Sequence, residues 1–216
     1  MPFTRHTPKP LILLKNKPFI YYIIKQLEFF GIKEVLIISG YKSYKFKKFL
    51  KKFKYHFNLQ LKLIIQPSNW QTAKRIYKIE KKLNKKFYLL YADNLVNLKK
   101  NNFEKFKTNS ILVQHHSLAN ELGNIKIINK KIISYNEMRN KISKYVELGY
   151  FYLSKKYIFS LLNAQNISFS KILTKIVEQK RMIPHKTKGT YLSITNIKNV
   201  KRSEKLIRKF QFLHLF

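Results

Sequence analysis

The chain has 216 residues, 45% hydrophobic and 15% aromatic, which supports a packed core and excludes a disordered segment. It has no cysteine, which excludes a disulfide framework and thiolate chemistry and fits a reducing compartment. The formal net charge is +35. Its lysines far outnumber arginine and are spread along the whole chain, so compositional bias is favoured over dedicated nucleic-acid recognition. Non-specific attraction to polyanions follows either way. The apolar run at residues 19–24 is too short to span a bilayer, and lysine and proline interrupt any leader-like pattern. The expectation is a cytoplasmic protein with no membrane partner.

Residues 7–42 read as a loop, an amphipathic helix, a tight stop and a strand. Pro18 stands where a first helical turn tolerates proline. Ile20, Ile23, Ile24, Leu27 and Phe30 form one apolar stripe, and Gly31 is placed as a left-handed cap. Residues 35–38 form a β-branched and leucine run, expected to be covered on both faces. Ser43 is the expected N-cap of a helix bearing Phe46, Phe49, Leu50 and Phe53. Residues 61–65 predict a strand, and a helix is expected from Thr72 through Leu83. Residues 87–91 predict another buried strand, which runs into Ala92-Asp93-Asn94. A short helix covers Phe103 and Phe106, and residues 110–114 return as a strand.

Beyond that point the pattern changes. Residues 125–128 and 131–135 flank Asn129-Lys130 as a hairpin. A strand is expected over 145–153, interrupted by Gly149. Helices follow near 155–162 and 170–179, then a strand at 191–194 and a helix over 200–210. The sum is one α/β domain over residues 1–216. It is a Rossmann-like, mostly parallel sheet flanked by helices, with a mixed-sheet extension in the C-terminal half. His115 and His116, as adjacent strand residues, are expected to point to opposite faces and not to chelate a metal together.

Thr7-Pro8-Lys9-Pro10-Leu11, Lys17-Pro18, Gly31-Ile32-Lys33 and Gly40-Tyr41 stand in an order that resembles the sugar-1-phosphate nucleotidyltransferases. The resemblance continues through FYLLYADN, GNIKIINKKIISYNEMR, YVELGYFYLSK and TYLSITN, and so covers nearly the full length. It implies transfer of a nucleotidyl group from an NTP to a sugar 1-phosphate, with pyrophosphate leaving, for surface polysaccharide precursors. The wording of ELGYF and YLSI resembles the heptose or mannose 1-phosphate branch, for which the NTP would be GTP. Two alternatives stay open: a degenerate homologue acting as a binding or partner subunit, and a basic nucleic-acid-binding protein.

On its own residues, Asp93 reads either as a turn or cap aspartate or as a carboxylate at the ligand-binding edge of the sheet. The resemblance makes it the catalytic carboxylate, a contact of the nucleotide and the ligand of Mg²⁺. It also implies that Lys9 supplies catalytic positive charge at the phosphates, and that Gln66 and Thr72 contact the nucleotide. Glu137, Arg139, Glu147 and Gly149 would hold the sugar. Arg139 would stand in for the family's lysine, whose place is taken by Met138. Ser193 occupies the position of the second metal-binding aspartate. The family's opening strand and G-G-x-G-T-R loop precede the point where MPFTRHTPKP starts, so the expected domain is N-terminally truncated relative to the family. Homo-oligomerisation is a further expectation without a residue behind it.

Overall fold

The computed structural model describes residues 5–210 and 212–213. In chain order its elements begin with a 3-10 turn at Lys9–Leu11, β1 (Leu13–Leu14), β2 (Lys17–Pro18), α1 (Phe19–Phe29), β3 (Glu34–Ser39), α2 (Ser43–Phe53) and β4 (Gln60–Ile65). Next come α3 (Thr72–Tyr77), β5 (Lys86–Leu90), β6 (Asn94–Val96), α4 (Lys100–Glu104), β7 (Ser110–His115) and α5 (His116–Ala119). The chain continues through β8 (Gly123–Ile128), β9 (Lys131–Asn140), β10 (Tyr145–Ser154), α6 (Lys155–Phe159) and α7 (Phe169–Glu178). It closes with β11 (Ile183–Lys186), β12 (Tyr191–Ser193) and α8 (Ile197–Leu206). The α/β architecture expected from the sequence is present.

Contacts group these elements into two compact units. The first comprises Met1–Asn69, Ala92–Glu104 and Tyr191–Phe216; the second comprises Trp70–Tyr91 and Lys105–Thr190. In the first, β3 and β4 pair in parallel, register Glu34↔Gln60 to Ser39↔Ile65, and β6 pairs antiparallel with β12. Ile20, Ile24, Ile37, Phe46, Phe49 and Phe53 make its core. Gly31 has φ +83°, the left-handed stop expected after the α1 stripe.

In the second unit β10 is the hub. One edge pairs antiparallel with β7, while the other is shared by β8 at the Tyr145 end and β5 at the Tyr150–Ser154 end. β9 adds outside β8, and β11 lies parallel beside β7. The hairpin turn falls on Asn129 and Lys130, both at positive φ (47° and 61°), as a two-residue type I′ connection requires. α7 buries Phe169, Ile172, Leu173, Ile176 and Val177 against this sheet.

Four local expectations are corrected. Residues 35–38 are not covered on both faces: Ile37 is buried, whereas Val35, Leu36 and Ile38 are half-exposed. Among the described residues β3 pairs with β4 alone, and the helices of its core lie against the Val35–Ile37 face. The strand at 87–91 is likewise half-buried, because β5 is paired along one edge only among those residues. Ser43 does not cap α2. Lys42 is the N-cap, at φ 49°, and no side-chain cap bond forms there. The Tyr41 hydroxyl and Lys42 ammonium both bond the Arg5 carbonyl, at 2.7 and 2.5 Å, and so fix this turn without a serine cap. Finally, the His115 and His116 rings lie 4.7 Å apart and are not on opposite faces. Strand alternation fails there because β7 ends at His115 and α5 starts at His116.

Candidate active site

In the first unit the 3-10 turn at Lys9–Leu11 and the turn ahead of β6 bring Lys9 and Asp93 together. Lys9 Nζ lies 3.3 Å from Asp93 Oδ2, with side chains 38% and 27% exposed. The two residues are 84 apart in sequence, so this is a tertiary juxtaposition. Pro8 and Pro10 flank Lys9 and fix its backbone approach. The Asp93 carbonyl accepts the Ile194 amide at 3.1 Å, and Asn94 pairs with Ser193, so β12 holds the aspartate turn from the other side. The Tyr191 hydroxyl donates to Asn94 Oδ1 at 2.9 Å, a buried bond that fixes the same joint.

Ser193 is buried (3% exposed) and accepts from Asn199 Nδ2 at 2.9 Å, while the same amide donates to Thr195 Oγ1 at 2.8 Å. Its hydroxyl is thus engaged with the start of α8, whose N-cap is Asn196. A serine so placed adds no carboxylate to the site. Among the described residues no group of three or more His, Asp or Glu side chains gathers as a metal cage. The donor set here is a single half-exposed carboxylate. Lys9 takes one of its roughly four acceptor positions, at a distance longer than the about 2.8 Å of a tight charge-assisted bond. That fits a cation such as Mg²⁺, which keeps most of its waters and binds through one or two carboxylates plus substrate phosphates.

Gln66 follows β4 and is buried (8% exposed), with its amide donating to the Ser39 carbonyl at 2.8 Å. The segment bearing Lys9 is anchored to the turn after β3 through Tyr41 on the Arg5 carbonyl and Lys45 Nζ on Thr7 Oγ1 at 3.3 Å.

The second unit carries the other expected residues. Thr72 opens α3, whose N-cap Gln71 gives its amide to Asn166 Oδ1 at 2.7 Å. Glu147 and Gly149 lie in a β-bulge of β10, where the register against β7 shifts between Glu147 and Phe151. Gly149 has φ +77°, a conformation that favours glycine, and its carbonyl accepts the Tyr91 amide at 2.9 Å. Glu147 is buried (6% exposed), with its own amide held by Asn124 Oδ1 at 2.9 Å. A bulge of this kind bends its strand and re-aims the side chains on it. Glu137, exposed on β9, accepts from Ser168 Oγ at 2.9 Å, and Ser168 caps α7. Arg139 pairs with Glu121 at 2.8 Å.

Tyr135 was missed from the sequence. It stands two residues before Glu137 and packs among these groups. Burial pushes its hydroxyl up to about 12, the charges of Glu147 and Glu137 add to the rise, and the Ser170 hydrogen bond and Arg139 oppose it. No alternation marks it: Ile132 is buried and Ile133 exposed, and the register shift between β8 and β9 puts Tyr135 out of the period of Ile132.

Residues 1–191 match the Nucleotidyl transferase family. A probable glucose-1-phosphate cytidylyltransferase of Bacillus subtilis (strain 168) is 21% identical over 227 residues, spanning 94% of this chain and 89% of that protein. The crystal structure of a putative glucose-1-phosphate thymidylyltransferase from Bacillus anthracis, in complex with a sucrose, superposes with TM-score 0.81 at 18% identity, covering 96% of this chain and 89% of that one. HddC from Yersinia pseudotuberculosis, complexed with GMP-PN, gives TM-score 0.78 at 20% identity, covering 93% and 90%. The two structures share the fold of this chain. The matched span includes both Lys9 and Asp93, and on its extent the chain belongs to the nucleotidyl transferase family.

Proposed function

We propose that this chain is a sugar-1-phosphate nucleotidyltransferase, and the observation that carries the reading is the meeting of Lys9 and Asp93 at 3.3 Å. A phosphate oxygen of the sugar 1-phosphate attacks the α-phosphorus of the NTP. The bond from that phosphorus to the β-phosphate bridge oxygen breaks, and pyrophosphate leaves with the electron pair. Little covalent chemistry is asked of the protein, which positions the reactants and balances charge. Lys9 supplies a fixed cation for the phosphate oxygens. Asp93 orients that ammonium in the free protein and is the residue that would hold Mg²⁺. When bound, Mg²⁺ neutralises charge on the triphosphate.

Gln66 and Thr72 are assigned to the nucleotide. Glu137, Glu147 and Gly149 are assigned to the sugar, with the Gly149 bulge fixing the backbone there. Arg139 serves the sugar side through Glu121, with which it is paired. GTP is the proposed nucleotide, in line with the GMP-PN of the HddC complex. The Bacillus subtilis relative's cytidylyl chemistry favours CTP as the second candidate. The product NDP-sugar would feed surface polysaccharide assembly.

The test is pyrophosphate release from each of the common NTPs with a panel of sugar 1-phosphates. Asp93→Asn is expected to lower turnover by about 100-fold or more, on the scale of losing one electrostatic group from a transition state. Circular dichroism should be unchanged, because a pair this exposed adds only about 0–1 kcal/mol to stability. Full activity in Asp93→Asn would refute the assignment.

A further inference from the structure

Ser39 ends β3 with its side chain buried (4% exposed), and its Oγ has no hydrogen-bond partner among the described residues. Buried hydroxyls are nearly always paired, and an unpaired one destabilises the protein that carries it. Its position is specific. Ser39 is the last register pair of the parallel β3/β4 sheet, opposite Ile65, and its carbonyl holds the Gln66 amide at 2.8 Å. It therefore lies at the carboxyl edge of a parallel pair, where α/β proteins bind ligands. The same edge anchors the segment bearing Lys9, through the Tyr41 bond to the Arg5 carbonyl and the Lys45 bond to Thr7.

We propose that Ser39 is a nucleotide-contacting residue, its buried hydroxyl kept for a hydrogen bond to the uncharged, nucleoside end of the nucleotide. This rests on the nucleotidyl-transfer reading and adds to it a specificity-determining group. Chemistry selects the nucleoside end over the phosphates. The Ser39 hydroxyl is neutral, and a neutral donor–acceptor group complements a base edge or a ribose hydroxyl. The cation assigned to the phosphates, Lys9, stands at Asp93. A hydroxyl both donates and accepts, so it serves either the base or the ribose.

Calorimetry on the full chain decides the matter, with GTP, CTP, their 2′-deoxy forms and inorganic pyrophosphate as probes. Ser39→Ala is expected to weaken binding of the preferred NTP by about 2- to 12-fold, the loss of one neutral hydrogen bond. Pyrophosphate binding should be unchanged, and the free variant should melt no lower than wild type, because an unsatisfied polar group has been removed. Ser39→Thr, which keeps the hydroxyl, should recover part of the affinity. A loss seen equally with ribo and deoxy forms assigns the contact to the base or the 3′-hydroxyl; a loss confined to the ribo form assigns it to the 2′-hydroxyl. Unchanged NTP affinity in Ser39→Ala overturns the proposal. So does an equal loss for NTP and pyrophosphate, or a lower melting temperature. A wild-type chain that binds no nucleotide refutes the nucleotidyl-transfer reading as well, which separates the two failures.

Discussion

Two tyrosines are held protonated chiefly by burial. Burial pushes the Tyr22 hydroxyl up to about 12, with Tyr21 and Glu204 adding to it, and burial does the same for Tyr135 beside Glu147. For both, the folded value lies above the ordinary 10, so folding favours the protonated phenol. Their contribution is complete below pH 10, declines as the unfolded chain ionises, and is gone once pH passes about 12. Stability should therefore fall between those limits. Of the 14 tyrosines, these two should be among the last to show the phenolate absorbance in an alkaline titration of the folded chain. Tyr135→Phe should flatten the decline in urea-derived stability over that range. Tyr22→Phe also removes the 2.6 Å bond to the Leu14 carbonyl, so it should start from a lower stability at neutral pH.

Among the elements, β8 depends most on a single missing side chain. A Cβ on Gly123 would run into the Ser143 carbonyl, a backbone group that cannot swing aside. Gly123→Ala should cost about 2–3 kcal/mol in denaturant unfolding, the upper part of the range for forced overpacking. It should also disturb Asn124, whose side chain holds the Glu147 amide. Gly31→Ala has open space around the new methyl and meets only the φ +83° penalty, about 1 kcal/mol. If the two variants were equally stable, the close approach at Ser143 would be wrong. Much of this level was legible in the sequence. The α1 and α7 stripes, the Asn129-Lys130 turn and the Gly149 break all follow from local period and backbone freedom. β6 and β11 were not legible. Asn94–Val96 is too short to show alternation, and Ile183–Lys186 contains a proline and is recognisable only by its pairing with β7. The Lys9–Asp93 meeting is also beyond any local signal. Lys9 is one lysine among many until the fold carries it next to that carboxylate. Ser39 was hidden for the opposite reason, as a lone polar residue closing an apolar run.

Over the whole molecule, 45 basic side chains stand against 10 acidic ones. Such an excess repels itself in the compact state, and dissolved salt screens it over about 8–10 Å. Raising ionic strength from about 0.05 to 0.3 M should therefore raise the melting temperature, and the same salt should strip the protein from an anionic resin. A melting temperature that falls with salt would mean that a few close ion pairs, such as Lys25–Glu28 at 2.9 Å, outweigh the general repulsion. The arrangement around β10 carries one more consequence. Its residues 145–147 and 150–154 are paired by three neighbouring strands, and Leu148, Phe151 and Leu153 along it are fully shut off from water. Solvent protons can reach them only when that whole unit comes apart, so deuterium should enter this strand last.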